Sequence, residues 1–286
     1  MNATCYACHF QKNLEMVAPL GDEKTATAFA KDLMQLYLES PEEVASPWFE
    51  PGVTALLEKH YGITGDRYIQ EKLDSNRFVM ERLDTIQSRV QAQPDPVYAG
   101  LQFSILGNYL DFSALRGRVS YEKLDEMLDM GLKMELDKQC YDRLCRDLES
   151  AKTLLYLTDN AGEIGFDRIF AEEIRKKYPH LQITFCVRGG PVLNDATRED
   201  AAAVGVDFPL IDNGNRIGGT VLSLLSEEAK EAFERADVIL AKGMGNNETL
   251  YGCGYNVYYA FLVKCKFFEQ RFGKPLMTPM LVAERA

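Results

Sequence analysis

The chain has 286 residues, 46% apolar and 26% charged, with 32 basic against 43 acidic side chains and a formal charge of -11. This suits a folded protein with a full core and room for two domains, and it argues against a general nucleic-acid binder, whose phosphate contacts need Lys and Arg clusters. The longest apolar run, Val257 to Val263, falls far short of the roughly 20 residues of a membrane-spanning helix, and no signal or transit peptide is recognisable, so a soluble, cytoplasmic protein without membrane contact is expected.

The N-terminal pair Cys5-x-x-Cys8 has the spacing of half a zinc site, but no second pair follows at finger-like distance. The seven scattered cysteines read as reduced thiols, with Cys5 and Cys8 expected to pack as small core residues. From Asp22 to about Ser150 apolar residues recur at helical spacing. Ala26, Phe29, Ala30, Leu33, Leu36 and Tyr37 make one face, and Phe78, Leu83, Ile86 and Val90 make a stripe on another helix. Breakers at Pro41, Pro47, Pro51-Gly52, Gly62 to Gly65, Pro94 to Pro96 and Gly117 divide this stretch into six or seven helices.

After Lys152 short apolar runs alternate with amphipathic helices. Strands are expected at Thr153 to Thr158, Gln182 to Val187, Asp207 to Ile211, Val238 to Ala241 and Leu276 to Val282, with helices near Glu163 to Lys177, Arg198 to Val204 and Glu227 to Arg235. The alternation predicts an α/β fold, with a helical region over residues 1–150 and a mainly parallel sheet covered by helices over residues 151–286.

Ligands of such a sheet gather at the carboxyl ends of its strands. The first of these loops holds Asp159-Asn160-Ala161-Gly162-Glu163, and the second holds Arg188-Gly189-Gly190 followed by Asn194-Asp195. Helix capping accounts for either acid-amide pair alone. Their co-occurrence suits a hard divalent cation with oxygen ligands, while the glycine pair is expected to turn backbone N–H groups inward. The third loop, Lys242-Gly243-Met244-Gly245-Asn246-Asn247-Glu248, offers a point charge and backbone donors to a phosphoryl group. There is no Walker A pattern, dinucleotide fingerprint, His-Glu-x-x-His or Gly-x-Ser-x-Gly, and only three histidines, which leaves a serine-histidine triad little to draw on.

Together the three loops resemble the damage-control phosphatase family. The matching residues are Asp159 to Glu163 with Phe166-Asp167, then Gly189 to Thr197 with Asp200, then Ala236-Asp237 and Lys242 to Leu250. Cys5-x-x-Cys8 with Gln11, and Gly107-Asn108-x-x-Asp111-Phe112, are similar to the prokaryotic-type subfamily. The resemblance implies a helical region packed on a Rossmann-like three-layer domain and a metal-dependent phosphatase of small phosphorylated metabolites. It implies that Asp159, Asn160 and Asp195 bind Mn2+, Co2+, Ni2+ or Mg2+, that Lys242 holds the phosphate, and that Asp159 or Asp195 acts as base. It also implies that Asn108, Asp111, Glu163, Gly189, Gly190, Asn194, Gly243, Asn246 and Glu248 line the substrate. A non-catalytic phosphometabolite-binding module and a carboxyl methyltransferase are the competing readings.

Overall fold

The computed structural model describes residues 1–110, 128 and 130–284; Asp111 and Gly117 lie outside them. Seven α-helices precede the sheet among these residues: α1 (Ala3–Val17), α2 (Glu23–Leu38), α3 (Glu50–Tyr61), α4 (Ile69–Met80), α5 (Leu83–Gln91), α6 (Pro96–Gly107) and α7 (Lys138–Ser150). Their starts are written locally. Asp22, Asp95 and Asp137 accept from backbone N–H groups of the first turns of α2, α6 and α7, and Pro96 fills the first position of α6, where a missing N–H costs nothing. The stripe expected on one helix is split, because Phe78 lies in the last turn of α4 while Leu83, Ile86 and Val90 belong to α5. All four remain in one core cluster.

The sheet alternates with helices: β1 (Thr153–Leu157), α8 (Glu163–Lys177), β2 (Gln182–Val187), α9 (Arg198–Ala203), β3 (Leu210–Asp212), α10 (Glu227–Arg235), β4 (Val238–Lys242), α11 (Gly243–Leu250), β5 (Val257–Leu262), α12 (Lys266–Phe272) and β6 (Pro279–Ala283). Strand order is β3-β2-β1-β4-β5-β6. All neighbours pair in parallel except β5 with β6. This is the Rossmann-like arrangement expected, with the strand order reversing beside β1, where such sheets take their ligands.

Two elements differ from the expectation. The run Val257–Leu262 is a strand buried along its whole length. It lies between β4 and β6, and burial on both faces removes the polar alternation that marks a strand. The loop expected at Lys242 to Thr249 is the end of β4 and the helix α11. β3 and β6 lie slightly C-terminal to their expected spans.

Successive strand residues feed opposite layers. Tyr156, Phe185, Leu240 and Tyr258 pack with α6, α7 and α8, and Leu155, Ile239, Tyr259 and Phe261 pack with α10, α11 and α12. Close approach of α6 to α8 requires Gly100, whose Cβ would sit 3.1 Å from the Phe170 backbone. Helices α1 to α3 bury Val17, Phe29, Leu33, Val53 and Leu57 in a cluster of their own. No helix among the described residues is long and apolar enough to cross a membrane.

Candidate active site

The chain leaves β1 through Asp159-Asn160 and leaves β2 through a loop that carries Asn194-Asp195. Main-chain hydrogen bonds join the two loops: Ala161 N–H donates to the Asn194 carbonyl at 2.8 Å and Ala196 N–H donates to the Asp159 carbonyl at 2.7 Å. Asn160 and Asp195 thus form an isolated antiparallel bridge. Leu193 enters it with φ 45°, a left-handed conformation uncommon for leucine and of the kind held at functional loops. Both acid-amide pairs reach the wall of one cavity of about 780 Å3.

Behind this wall lies a buried polar cluster. Asn108 Nδ2 donates to Asp159 Oδ2 and to Glu163 Oε2, each at 2.8 Å. Asn160 Nδ2 donates to the same two oxygens at 2.8 and 2.6 Å. Lys242 Nζ donates to Glu163 Oε1 at 2.7 Å, Asp167 Oδ1 at 2.6 Å and the Ser104 carbonyl at 2.9 Å. All three ammonium hydrogens are then used, and the side chain is wholly buried. Contrary to expectation, Lys242 is not presented to the cavity; it stands behind Glu163. Burial works against its charge, but the Asp167 and Glu163 carboxylates outweigh that and raise its pKa. Burial drives the Asp167 carboxyl upward, against the pull of Lys242.

Gly243 follows Lys242 with φ +78°, so close to Asp159 that any Cβ would overlap the carboxylate. The expectation for the other glycines is corrected. Gly189 N–H does not turn inward but donates to Asn213 Oδ1 at 2.8 Å and to the Asn215 carbonyl at 2.9 Å, and a side chain on Gly190 would meet Arg216. This pair packs a neighbouring loop. Asn246 is also buried behind the wall, donating to the Thr158 and Lys242 carbonyls. Asn194 and Glu248 do line the cavity.

Sequence reasoning passed over Arg188, the first residue beyond β2. Its side chain is 2% exposed; Nε donates to Asp195 Oδ2 at 2.6 Å and Nη1 to the Gly219 carbonyl at 2.9 Å. Nη2 has no hydrogen-bond partner among the described residues and lies 4.0 Å from Asp159 Oδ1. Its place at a strand end, beside the acid-amide pair, was the available signal. Asn76 was missed too: its Oδ1 accepts from Gly162 N–H at 2.7 Å while its Nδ2 donates to Asp200, tying α4 to the first loop.

The donor set fits a hard cation. The Asn160 amide hydrogens face carboxylates, which leaves its carbonyl oxygen for a ligand beside Asp159 and Asp195, an all-oxygen set. Among the described residues no group of three or more His, Cys, Asp or Glu side chains could hold a metal ion; the third oxygen offered at this wall is an amide. Cys5, Cys8 and Cys265 also line the cavity. Cys8 is exposed and the other two half-buried, so they are wall residues rather than core.

Burial pushes the Glu248 carboxyl from its ordinary 4.5 up to about 7. A carboxyl whose pKa is higher in the folded state favours folding while protonated, so its contribution is present below about 4.5 and lost as pH rises to about 7. Melting temperatures between pH 5 and 8 are expected to fall more steeply for the native protein than for Glu248→Gln. Parallel curves would refute this.

A family model described as damage-control phosphatase ARMT1-like domain matches residues 1–278. A damage-control phosphatase of Pyrococcus horikoshii is 34% identical over 278 residues, 95% of this chain and 93% of that protein. An uncharacterized protein of Methanocaldococcus jannaschii is 34% identical over 263 residues, 88% of this chain and 84% of that protein. The crystal structure of a DUF89 family protein from Pyrococcus horikoshii aligns with a TM-score of 0.84 at 28% identity, covering 100% of this chain and 99% of the other. These matches, and the bridged loops they span, support a phosphatase function: the chain belongs to the damage-control phosphatase ARMT1-like domain family.

Proposed function

We propose that this protein is a divalent-metal-dependent phosphatase that hydrolyses phosphomonoesters of small metabolites. The observation that carries the reading is the bridge between Asn160 and Asp195, which holds two acid-amide pairs from different strands on one cavity wall. Asp159, Asn160 and Asp195 would hold the cation, which when bound supplies charge neutralisation at the phosphoryl oxygens and makes an attacking water more acidic.

The chain's own groups supply the remainder. Asn108 and Asn160 fix one oxygen of Asp159, leaving Oδ1 toward Arg188. Arg188 orients Asp195 through Nε, and its unpartnered Nη2 is a donor suited to a phosphoryl oxygen. Asp159 or Asp195 accepts the proton of the attacking water. Lys242 acts through Glu163, which accepts from Asn108 and Asn160 and keeps both amides turned to the site.

The test is phosphate release from an aryl phosphate and a panel of sugar phosphates by chelated protein, before and after adding Mn2+, Co2+, Ni2+ or Mg2+. Activity absent after chelation and restored by metal is expected. Full activity in the chelated, metal-free protein would overturn the metal dependence. Folded protein silent with every metal and ester would overturn the phosphatase.

A further inference from the structure

The bridged loops occupy one part of a cavity whose volume, about 780 Å3, lies high in the roughly 300–1,000 Å3 range of small-molecule sites. Elsewhere its wall is built by α1 and by the segment after β5. Lys12 of α1, Arg67 ahead of α4, and Lys264 and Lys266 after β5 all line it, in a chain of formal charge -11. Five carboxylates line it as well, Asp159 and Asp195 at the bridged loops and Glu15, Glu50 and Glu248 elsewhere, so the cations focus attraction on an anion only locally, where they stand away from those acids.

His9 adds a second observation. It lines the same cavity and is 6% exposed. Asn13 Nδ2 lies 3.2 Å from its Nδ1, and the Tyr37 hydroxyl lies 2.6 Å from the same nitrogen. An amide NH2 can only donate, so Nδ1 accepts and the ring hydrogen sits on Nε2. That Nε2 has no hydrogen-bond partner among the described residues. Glu50 Oε1, at 3.8 Å, is beyond hydrogen-bond reach. A buried donor without an acceptor is costly, and an anionic oxygen would satisfy it. The three carboxylates away from the bridged loops have neighbours of their own. Glu15 accepts from Gln11, Glu248 feels the positive charges of Lys12 and Arg271, and Glu50 is the one beside His9.

We propose that His9, Lys12 and Lys266 form a subsite for a second anionic group, so that the substrate is an extended phosphate ester carrying another phosphate or a carboxylate. The inference rests on the phosphatase reading above and adds the substrate class. His9 contributes one directed N–H, and the lysines contribute point charges on flexible stems. The phosphoryl group to be hydrolysed lies at the bridged loops, and the second anion, held elsewhere in the same cavity, draws the ester into register.

The experiment compares kcat/KM for a hexose 1,6-bisphosphate, the corresponding hexose 6-phosphate and 6-phosphogluconate, in the native protein and in Lys12→Ala/Lys266→Ala. The bisphosphate is expected to exceed the monophosphate at least ten-fold, mainly through KM, and the double variant to bring the ratio close to one. A matching gain for 6-phosphogluconate identifies a site for either anion; a gain for the bisphosphate alone identifies a phosphate site. Equal values for bisphosphate and monophosphate in the native protein, or a ratio that survives the double substitution, would overturn the subsite and leave the phosphatase standing. Should the native protein hydrolyse no ester, calorimetric titration with the bisphosphate decides: ten-fold weaker binding by the double variant upholds the subsite, and equal or absent binding overturns it.

Discussion

Asp159→Asn is expected to lower kcat/KM on the order of 10^3-fold or more, since a cation at a phosphoryl group contributes several kcal/mol and each ~1.4 kcal/mol is a decade of rate. The substitution keeps the shape and retains an oxygen for Asn108 and Asn160, which both donate to Oδ2. Stability should therefore stay within about 1 kcal/mol of the native protein, so that lost rate reports lost charge. Steady-state assays at saturating metal, beside a calorimetric metal titration, measure both. Activity within ten-fold of native would remove Asp159 from the metal site. Asp195 is the poorer choice for the same test, because its loss would leave the buried Arg188 guanidinium without its nearer ionic partner and mix folding with chemistry.

Lys242→Met should have the largest effect on stability. The ammonium pairs with two carboxylates in a pocket from which water is excluded, and lysine, Glu163 and Asp167 are all inaccessible. Removing one partner of a buried ion pair costs roughly 3–5 kcal/mol, against a total of about 5–15 kcal/mol for an ordinary domain. The loss should be smaller at pH 5 than at pH 8. Burial already drives Asp167 toward its protonated form, and without Lys242 the neutral acid is the cheaper state as protons become available. Denaturant titrations at both pH values check this. A variant as stable as the native protein at pH 8 would mean that the carboxylates find other compensation.

Much of this site was legible from position alone. Asp159-Asn160 and Asn194-Asp195 stand at strand ends, and the rule that open parallel sheets bind ligands there is enough to single them out. What the residues could not reveal was depth. Lys242 looks like a solvent-facing strand end until Ser104 of α6 and Glu163 and Asp167, one turn apart on α8, close around it. Those partners lie 75 to 138 residues away in sequence, and no periodicity encodes such a meeting. Likewise α11 packs two glycines and two asparagines into eight residues, a composition that reads as a loop because its intrinsic helix propensity is poor. It is held by tertiary contacts: Leu250 is buried against the sheet, and Asn246 donates to the Thr158 and Lys242 carbonyls. The fully apolar β5 hid for the opposite reason, having no polar residue to mark either face.

Helices α1 to α3 close on an apolar cluster separate from the one beneath the bridged loops. The part of the chain that lends His9 and Lys12 to the cavity therefore does not share its packing constraints with the part that holds Asp159 and Asp195. Substitutions can accumulate in that cover, altering which metabolites are admitted, without disturbing the spacing of the reactive oxygens. Selection can act on preference and on reaction chemistry as two nearly independent traits of one polypeptide.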